Sequence, residues 1–399
     1  MGDVGVPGLE GVARLSAWLA ENGLPGGGEE LAVELITGGR SNLTYRVEGA
    51  GAKRGGGKGR AGAGAKRGGG KGRAGAGAKR EAGLTESTAP GPVPGRPATR
   101  LVLRRPPLGH VLPTAHDMSR EYRVLSALYG TAVPVPRPVA ICSDTDVIGA
   151  PFYLMEWVDG VVFRTTEDTK ILSPAQATMV SERFAEMLAA IHGTDVAAVG
   201  LAGFGRPEGY LERQLARWQR QWKLSVSQEV PGYDALVDRL AAGLPGVVAA
   251  AGAGTLVHGD FRVDNMLIDP APQPRIAAVV DWEMSTLGDP LADLGLSLVY
   301  WAEPGELEAL PPMVGATVTT APGFLTRDEI AARYASLTGR DLSRLDYYMA
   351  FGCFKLAVVL EGINARFLQR KTVGEGFERE GQAVPRLIER AHSLLDASS

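Results

Sequence analysis

Apolar and polar residues alternate along LAVELITGGRSNLTYRVEG (31–49), with a Gly pair in the middle. A period of two broken by glycines predicts a β-hairpin. TRLVLRRPP (99–107) is another predicted strand, stopped by two prolines that cannot donate to a ladder. In SREYRVLSALYG (119–130) the period lengthens. Tyr122, Leu125 and Leu128 share one helical face, and Gly130 ends the helix. VAICS (139–143) and PFYLMEWV (151–158) predict two more strands. SPAQATMVSERFAEMLAAIHG (173–193) predicts a helix with a defined start: Ser173 caps it, Pro174 takes the first turn and Gln176 completes a capping box. YLERQLARWQRQW (210–222) puts Leu211, Leu215, Trp218 and Trp222 on one side. GTLVHGD (254–260) predicts a short buried strand running into a loop, and MLID with RIAAVVDW (266–282) a second hairpin. Beyond it the pattern is mostly helical. Thr326 and Glu329 box one helix, and a long one runs from about Leu345 to Leu368. A strand-rich first third followed by a helical remainder with one embedded hairpin predicts an α+β fold in two lobes, 1–155 and 156–399.

One segment obeys neither period. From about 49 to 98 the chain is Gly, Pro and charge with almost no large apolar residue, which predicts disorder. Inside it the 13-residue unit GAKRGGGKGRAGA is written twice and begun a third time, carrying five Lys and five Arg between Gly51 and Arg80. Its GGGKGR fails as a phosphate-binding P-loop, because Ala52 and Ala65 stand where glycine is required and Gly follows each Lys. Lengthening a hairpin tip from about 5 to about 50 residues costs only ~2 kcal/mol of closure entropy, so a stable sheet tolerates the insertion. Deleting 50–97 is therefore expected to leave the chemistry intact, with a catalytic assay of the deletion as the check.

That insertion also distorts the charge. The 399 residues carry a net −3, but outside the repeat 32 basic residues face 45 acidic ones. A nucleic-acid-binding fold would carry the basic stripe on its own surface, so no nucleic-acid partner is expected beyond non-specific contact by the insertion. The repeat has no aromatic residue on which a base could stack. Two distant cysteines, Cys142 and Cys353, supply neither a disulfide framework nor a zinc site. No secretory leader is visible at the N-terminus, and no apolar run reaches the ~20 residues that span a membrane. The expectation is a cytoplasmic protein with no membrane partner, and the oligomeric state is left open.

The chemistry concentrates in LVHGDFRVDNMLID (256–269) and VVDWE (279–283). Asp260 leads a carboxamide, Asn265, by five positions, and a second carboxylate, Asp281, follows a strand. Phosphoryl transfer needs such a set. One carboxylate orients and deprotonates an acceptor hydroxyl, and two further oxygens hold Mg²⁺ on nucleotide phosphates.

His258, Asp260, Asn265 and Asp281 resemble the catalytic and metal-binding loops of protein kinases. The HGD start, NMLID and DWE…GDPLADLG resemble more closely the aminoglycoside and choline kinase-like phosphotransferases. LVLRRPPLGHVLPTAHDMSREYRVLSAL is similar to the branch of kinase-like domains joined to acyl-CoA dehydrogenases, which act on hydroxyacyl-CoA. The resemblance covers about 30–48 and 99–399. It implies ATP and Mg²⁺ as cofactors, Asp260 as catalytic base with His258 bracing its loop, and Asn265 and Asp281 as magnesium ligands.

The same resemblance assigns a nucleotide site. Leu101–Arg104 resembles the strand that ends in the ATP-binding lysine, here replaced by arginine. Alternation puts Val102 and Arg104 on one face, toward adenine and phosphates, with Arg105 facing away. Glu121 resembles the glutamate that pairs with that lysine. Gly38, Gly39, Ser41 and Asn42 would cover the phosphates, and Met155–Val158, with Glu156 and Val158, resembles the hinge at the adenine edge. Asp289 is expected to cap a helix, Asp293 to tie that helix to the catalytic loop, and Asp264 to be solvated. Trp218 and Trp222 at four-residue spacing fit a core stripe or an acceptor pocket.

The implied function is transfer of the γ-phosphoryl group of ATP to a hydroxyl of a small molecule, with hydroxyacyl-CoA as one candidate acceptor. Two alternatives stand beside it. One is an antibiotic phosphotransferase for an aminoglycoside or macrolide. The other is a catalytically weak nucleotide-binding pseudokinase, to which Arg104 points. Residues 205–240 mix acidic with basic side chains, a balance that does not favour a polycationic acceptor.

Overall fold

A computed structural model describes residues 6–36, 42–49, 100–108, 117–250, 254–306, 317–369 and 380–397. Gly38, Gly39, Ser41 and the whole basic repeat lie outside them.

Two compact units divide the chain. One comprises Met1–Leu108 with Cys142–Leu154, the other Gly109–Ile141 with Met155–Ser399. The first begins with α1 (Val12–Glu21), whose Leu15 and Leu19 are fully buried one turn apart. The alternation at 31–49 becomes β1 (Leu31–Leu35) and β2 (Leu43–Gly49), antiparallel from Leu31↔Gly49 to Leu35↔Tyr45. β3 (Arg100–Arg105) pairs antiparallel with β2, from Leu43↔Arg105 to Glu48↔Arg100. Gly49 and Arg100 thus end side by side. β2 and β3 pair as neighbours joined by a turn would. With β4 (Pro138–Cys142) and β5 (Phe152–Glu156) the sheet order is β1-β2-β3-β5-β4.

β3 is buried from Leu101 to Arg105, on both faces. Val102 and Arg104 share one face, as the alternation predicts. Arg105, on the other, is no surface charge. It donates through Nη1 to Gly8 O at 2.6 Å and Ile148 O at 3.2 Å, fastening the N-terminal segment to the sheet. Burial lowers its pKa, against the Tyr45 and Glu10 interactions that raise it.

The second unit contains α2 (Met118–Leu128), capped by Asp117, which accepts from Ser119 N at 2.9 Å. Its buried stripe is Met118, Glu121, Val124, Leu125 and Leu128, so a glutamate sits within an apolar row while Tyr122 is half-buried. α3 (Pro174–His192) starts with the predicted capping box: Gln176 N donates to Ser173 Oγ at 3.3 Å and Ser173 N to Gln176 Oε1 at 2.9 Å. α4 (Tyr210–Ser225) buries Leu211, Leu215, Trp218 and Trp222. α5 (Tyr233–Ala250) leads to β6 (Thr255–Val257). The second hairpin is β7 (Met266–Asp269) with β8 (Arg275–Val279), and β9 (Thr286–Gly288) pairs antiparallel with β6. α6 (Pro290–Tyr300), α7 (Arg327–Thr338), α8 (Leu345–Leu368) and α9 (Glu380–Ala397) complete the unit.

α8 packs against α9, α6 and α4. Among the described residues it alone is long and apolar enough to cross a membrane, yet 78% of its apolar window is buried inside the protein. It is the central core helix, and Lys355 and Glu361 interrupt its apolar sequence. Both cysteines are buried thiols.

Candidate active site

The centre of the second unit is the loop after β6. Gly259 has φ +83°, and a Cβ there would stand 2.5 Å from Met284 O. Only glycine both turns this way and lets the two backbones approach. Gly259→Ala is therefore expected to cost about 1–3 kcal/mol of stability, read as a lowered denaturation midpoint.

Asp293, on α6, anchors the loop. Its Oδ2 accepts from His258 N at 2.7 Å and its Oδ1 from Gly259 N at 2.8 Å. His192 Nε2 lies 3.2 Å from Oδ2, and Tyr334 OH 2.7 Å from His192 Nδ1. Burial raises the Asp293 pKa, but its bonds and charge interactions with His192 and His258 outweigh that and hold it below the usual carboxylate value. Asp289 caps α6, accepting from Leu291 N at 2.9 Å, and also from Tyr348 OH at 2.6 Å. Both carboxylates occupy the structural positions expected of them.

His258 is fully buried. Its Nε2 donates to Val280 O at 3.0 Å, leaving Nδ1 to accept from Asp260 N at 3.4 Å. That pair of bonds bridges the loop to the end of β8. His258 packs on Trp282, centroids 4.6 Å apart, and on Phe261 at 5.7 Å.

Asp260 remains partly exposed. Asn265 Nδ2 donates to its backbone oxygen at 2.8 Å and reaches Oδ2 at 3.4 Å. Arg262 Nε lies 3.6 Å from Oδ2, and the Tyr300 hydroxyl is hydrogen-bonded to the same carboxylate. Burial, then the Asp260 charge, push the Tyr300 pKa well above its ordinary value, so it stays a donor.

Val280 N donates to Asn265 O at 3.0 Å, and Met266 pairs with Val279. Asn265 and Asp281 thus stand at the same end of the β7–β8 hairpin. Asp281 is the only non-glycine residue with positive φ among the described residues, at 68°. Such backbone costs on the order of 1–3 kcal/mol and persists where the surroundings enforce it. The Asn265 amide nitrogen is occupied by Asp260, which leaves its Oδ1 as a ligand. A carboxylate and a carboxamide oxygen are hard donors that suit Mg²⁺. Among the described residues no group of three or more His, Cys, Asp or Glu could hold a metal. The remaining ligands would be phosphate oxygens and water.

Asp264 corrects the expectation of a solvated loop residue. Its side chain is 5% exposed and pairs with Arg262 Nη2 at 2.7 Å. The chain turns through 263–265 as a single 3-10 turn, which swings Asp264 inward beneath Arg262. Arg262 in turn lies over the Tyr300 ring at 4.7 Å. Burial opposes its charge, but Asp260 and Asp264 outweigh burial and keep it protonated. Two carboxylates share one guanidinium, and burial pushes Asp264 up to about 6. Between its ordinary 3.8 and about 6 the native state holds a proton that the unfolded chain releases. Its contribution is therefore most favourable at low pH and falls as pH rises through about 6. Asp264→Asn should flatten that part of a plot of melting temperature against pH.

Sequence reasoning missed Arg262, Tyr300, Lys355 and Arg120. Lys355 Nζ donates to Gly259 O at 2.7 Å from α8, almost a hundred residues away in the chain. Arg120 Nη2 donates to Phe204 O and Ser285 O, both at 3.3 Å, and its guanidinium covers the Phe204 ring at 4.2 Å. It fastens α2 to the segment after Asp281. The loop pattern HGDFRVDN contained Arg262, but nothing local distinguished it from a surface arginine.

Asn42, Val102 and Arg104 are buried in the first unit. In the second, Glu121 is 1% exposed. Glu156 pairs with Arg137 at 2.5 Å, and Val158 is half-buried.

The fold and this loop define a class, the small-molecule phosphotransferases. The profile described as "Phosphotransferase enzyme family" matches residues 93–329, and the chain belongs to that family. It is 33% identical over 295 residues to acyl-CoA dehydrogenase family member 10 of Mus musculus, covering 73% of this chain and 27% of that protein. The chain spans 27% to 37% of the length of such curated relatives. Its fold matches a provisionally assigned aminoglycoside phosphotransferase of Ralstonia eutropha JMP134 with a TM-score of 0.69, 28% identity, and 96% and 98% of the two chains covered. A mutant of aminoglycoside phosphotransferase APH(4)-Ia, solved with ADP and hygromycin B, shares the fold at a TM-score of 0.54 and 14% identity, over 96% and 98%.

Proposed function

We propose that this protein transfers the γ-phosphoryl group of ATP, with Mg²⁺, to a hydroxyl group of a small molecule. The observation that carries the reading is the Asp260 carboxylate, partly open and fixed by Asn265, Arg262 and Tyr300. In the reaction Asp260 takes the proton of the acceptor hydroxyl. A bond forms from that oxygen to the γ-phosphorus as the bond to the bridging oxygen breaks, and ADP leaves. His258 keeps the loop seated on β8, and Asp293 holds the loop backbone. Asn265 and Asp281 are the residues that would hold the metal, which supplies charge neutralisation on the transferring phosphoryl oxygens. Asn42, Val102, Arg104, Glu121, Glu156 and Val158 are assigned to the nucleotide by the kinase resemblance. Arginine in place of lysine keeps a permanent charge there with a wider fork of donors.

Kinship with acyl-CoA dehydrogenase family proteins supports a hydroxyacyl-CoA as acceptor. Aminoglycosides are the second reading, favoured by the aminoglycoside phosphotransferases among the fold relatives. Purified protein with Mg-ATP and each acceptor class in turn should release ADP above background with the true class. Equal background release with every acceptor, by wild type and Asp260→Asn alike, would remove the catalytic reading and leave a nucleotide-binding pseudokinase.

A further inference from the structure

Trp218 and Lys355 are not used by the chemistry above, and each is left incomplete. Trp218 is 5% exposed, and its indole N–H is buried with no acceptor among the described residues. A tryptophan in a pure core stripe normally finds a partner for that group or leaves its edge wet. Trp222, one turn on, is stacked on Tyr233 with centroids 4.0 Å apart and rings 9° from parallel. Trp218 has instead two cations at its ring, Lys355 Nζ at 5.6 Å and the Arg217 guanidinium at 5.2 Å.

Lys355 rises from the middle of the core helix α8, between Phe354 and Leu356. An ammonium has three donors. Among the described residues its one hydrogen bond is to Gly259 O, next to Asp260 in the chain. The other acid near it, Asp293, already accepts from His258 N, Gly259 N and His192. Burial lowers the Lys355 pKa and Arg217 adds to that, while Asp260 and Asp293 work the other way. A lysine kept in this position for packing alone would be replaced by a hydrophobic residue at a gain.

We infer that Lys355 and the Trp218 indole N–H form an acceptor subsite beside Asp260 that binds an anionic oxygen of the substrate, a carboxylate or phosphate. Lys355 Nζ joins a carbonyl of the catalytic loop to the neighbourhood of the Trp218 ring, 5.6 Å from its centre. An anionic oxygen accepts from both donors, which satisfies the indole N–H and uses the spare donors of the ammonium. Arg217, exposed at the same ring, adds attraction for a negatively charged molecule and repulsion for a polycation. The inference deepens the phosphotransferase reading and rests on it for the identity of the occupant as the acceptor. It selects anionic hydroxy compounds over aminoglycosides.

The test uses binding, so it is separate from turnover. The full chain is labelled with 5-fluorotryptophan, and the six tryptophan signals are followed by ¹⁹F NMR. Trp218→Phe assigns one signal and keeps the ring. Inorganic phosphate, and separately 3-hydroxybutyrate, should move the Trp218 signal saturably, and the neutral diol 1,3-butanediol should not. Lys355→Gln should weaken phosphate binding by about 10-fold or more, the range of a lost charged hydrogen bond, and Lys355→Arg should restore most of it. If Lys355→Gln does not fold, calorimetric titration of Trp218→Phe replaces it, with weaker phosphate binding expected. Saturating AMP-PNP should leave the phosphate effect in place. An unmoved Trp218 signal, binding indifferent to Lys355 and Trp218, or a phosphate effect abolished by AMP-PNP would overturn the subsite. ADP release in the acceptor assay reports independently on the phosphotransferase reading.

Discussion

Asp260→Asn is expected to lower kcat for phosphoryl transfer by about 10²–10⁴-fold, the usual worth of a positioned general base. The asparagine preserves volume, and its carboxamide can still accept from Asn265 and Tyr300. It cannot take a proton from the acceptor. The loss should therefore fall on kcat, with nucleotide affinity little changed, because Asp260 has no assigned role toward the nucleotide. Arg262, sharing its charge between Asp260 and Asp264, keeps one carboxylate partner at 2.7 Å and should stay ordered. Steady-state kinetics with nucleotide binding measured separately check the split. A comparable loss in both quantities would indicate a collapsed loop instead of a missing base.

Asp293→Ala is expected to have the largest effect on stability, about 3–5 kcal/mol. The carboxylate is fully buried and is the shared acceptor for His258 N, Gly259 N and His192. Its removal strands two backbone donors and a buried ring in an apolar setting. Asp293→Asn keeps one acceptor and should cost less. Chemical denaturation of both variants measures the difference, and activity should fall with the stability of the loop. Asp289→Ala removes a helix cap that also binds Tyr348, and should cost less than Asp293→Ala.

Those two carboxylates show what a sequence makes legible. Asp289 before Pro290 announces a helix start, because capping is decided by neighbours within one turn. Asp293 could be read as a tether because the loop it holds lay in the same motif. The hairpins, the capped starts of α3 and α7, and the buried stripe of α4 were legible for the same reason: period and cap are local. Asp264 was misread because its burial depends on Arg262 lying over Tyr300, and Tyr300 comes from the far end of α6. Lys355 was invisible for a stronger reason. Its partner, Gly259 O, is a backbone atom that no residue pattern marks, and it lies across a tertiary contact between α8 and the catalytic loop. Asp281 was chosen for its carboxylate, and its positive φ is a consequence of β8 ending against the 282–284 turn. Residue types in one loop suggested the chemistry. The groups that hold those residues in place come from four helices, and only folding brings them together.

The most direct measurement is product analysis by mass spectrometry. Wild-type protein is incubated with Mg-ATP and a pool of hydroxyacyl-CoAs, hydroxy acids and aminoglycosides. One class should gain the mass of a phosphoryl group in step with ADP formation, and Asp260→Asn and Asp281→Asn should each abolish that product. No phosphorylated product from any class, or the same product from wild type and both variants, would contradict a phosphotransferase built on Asp260.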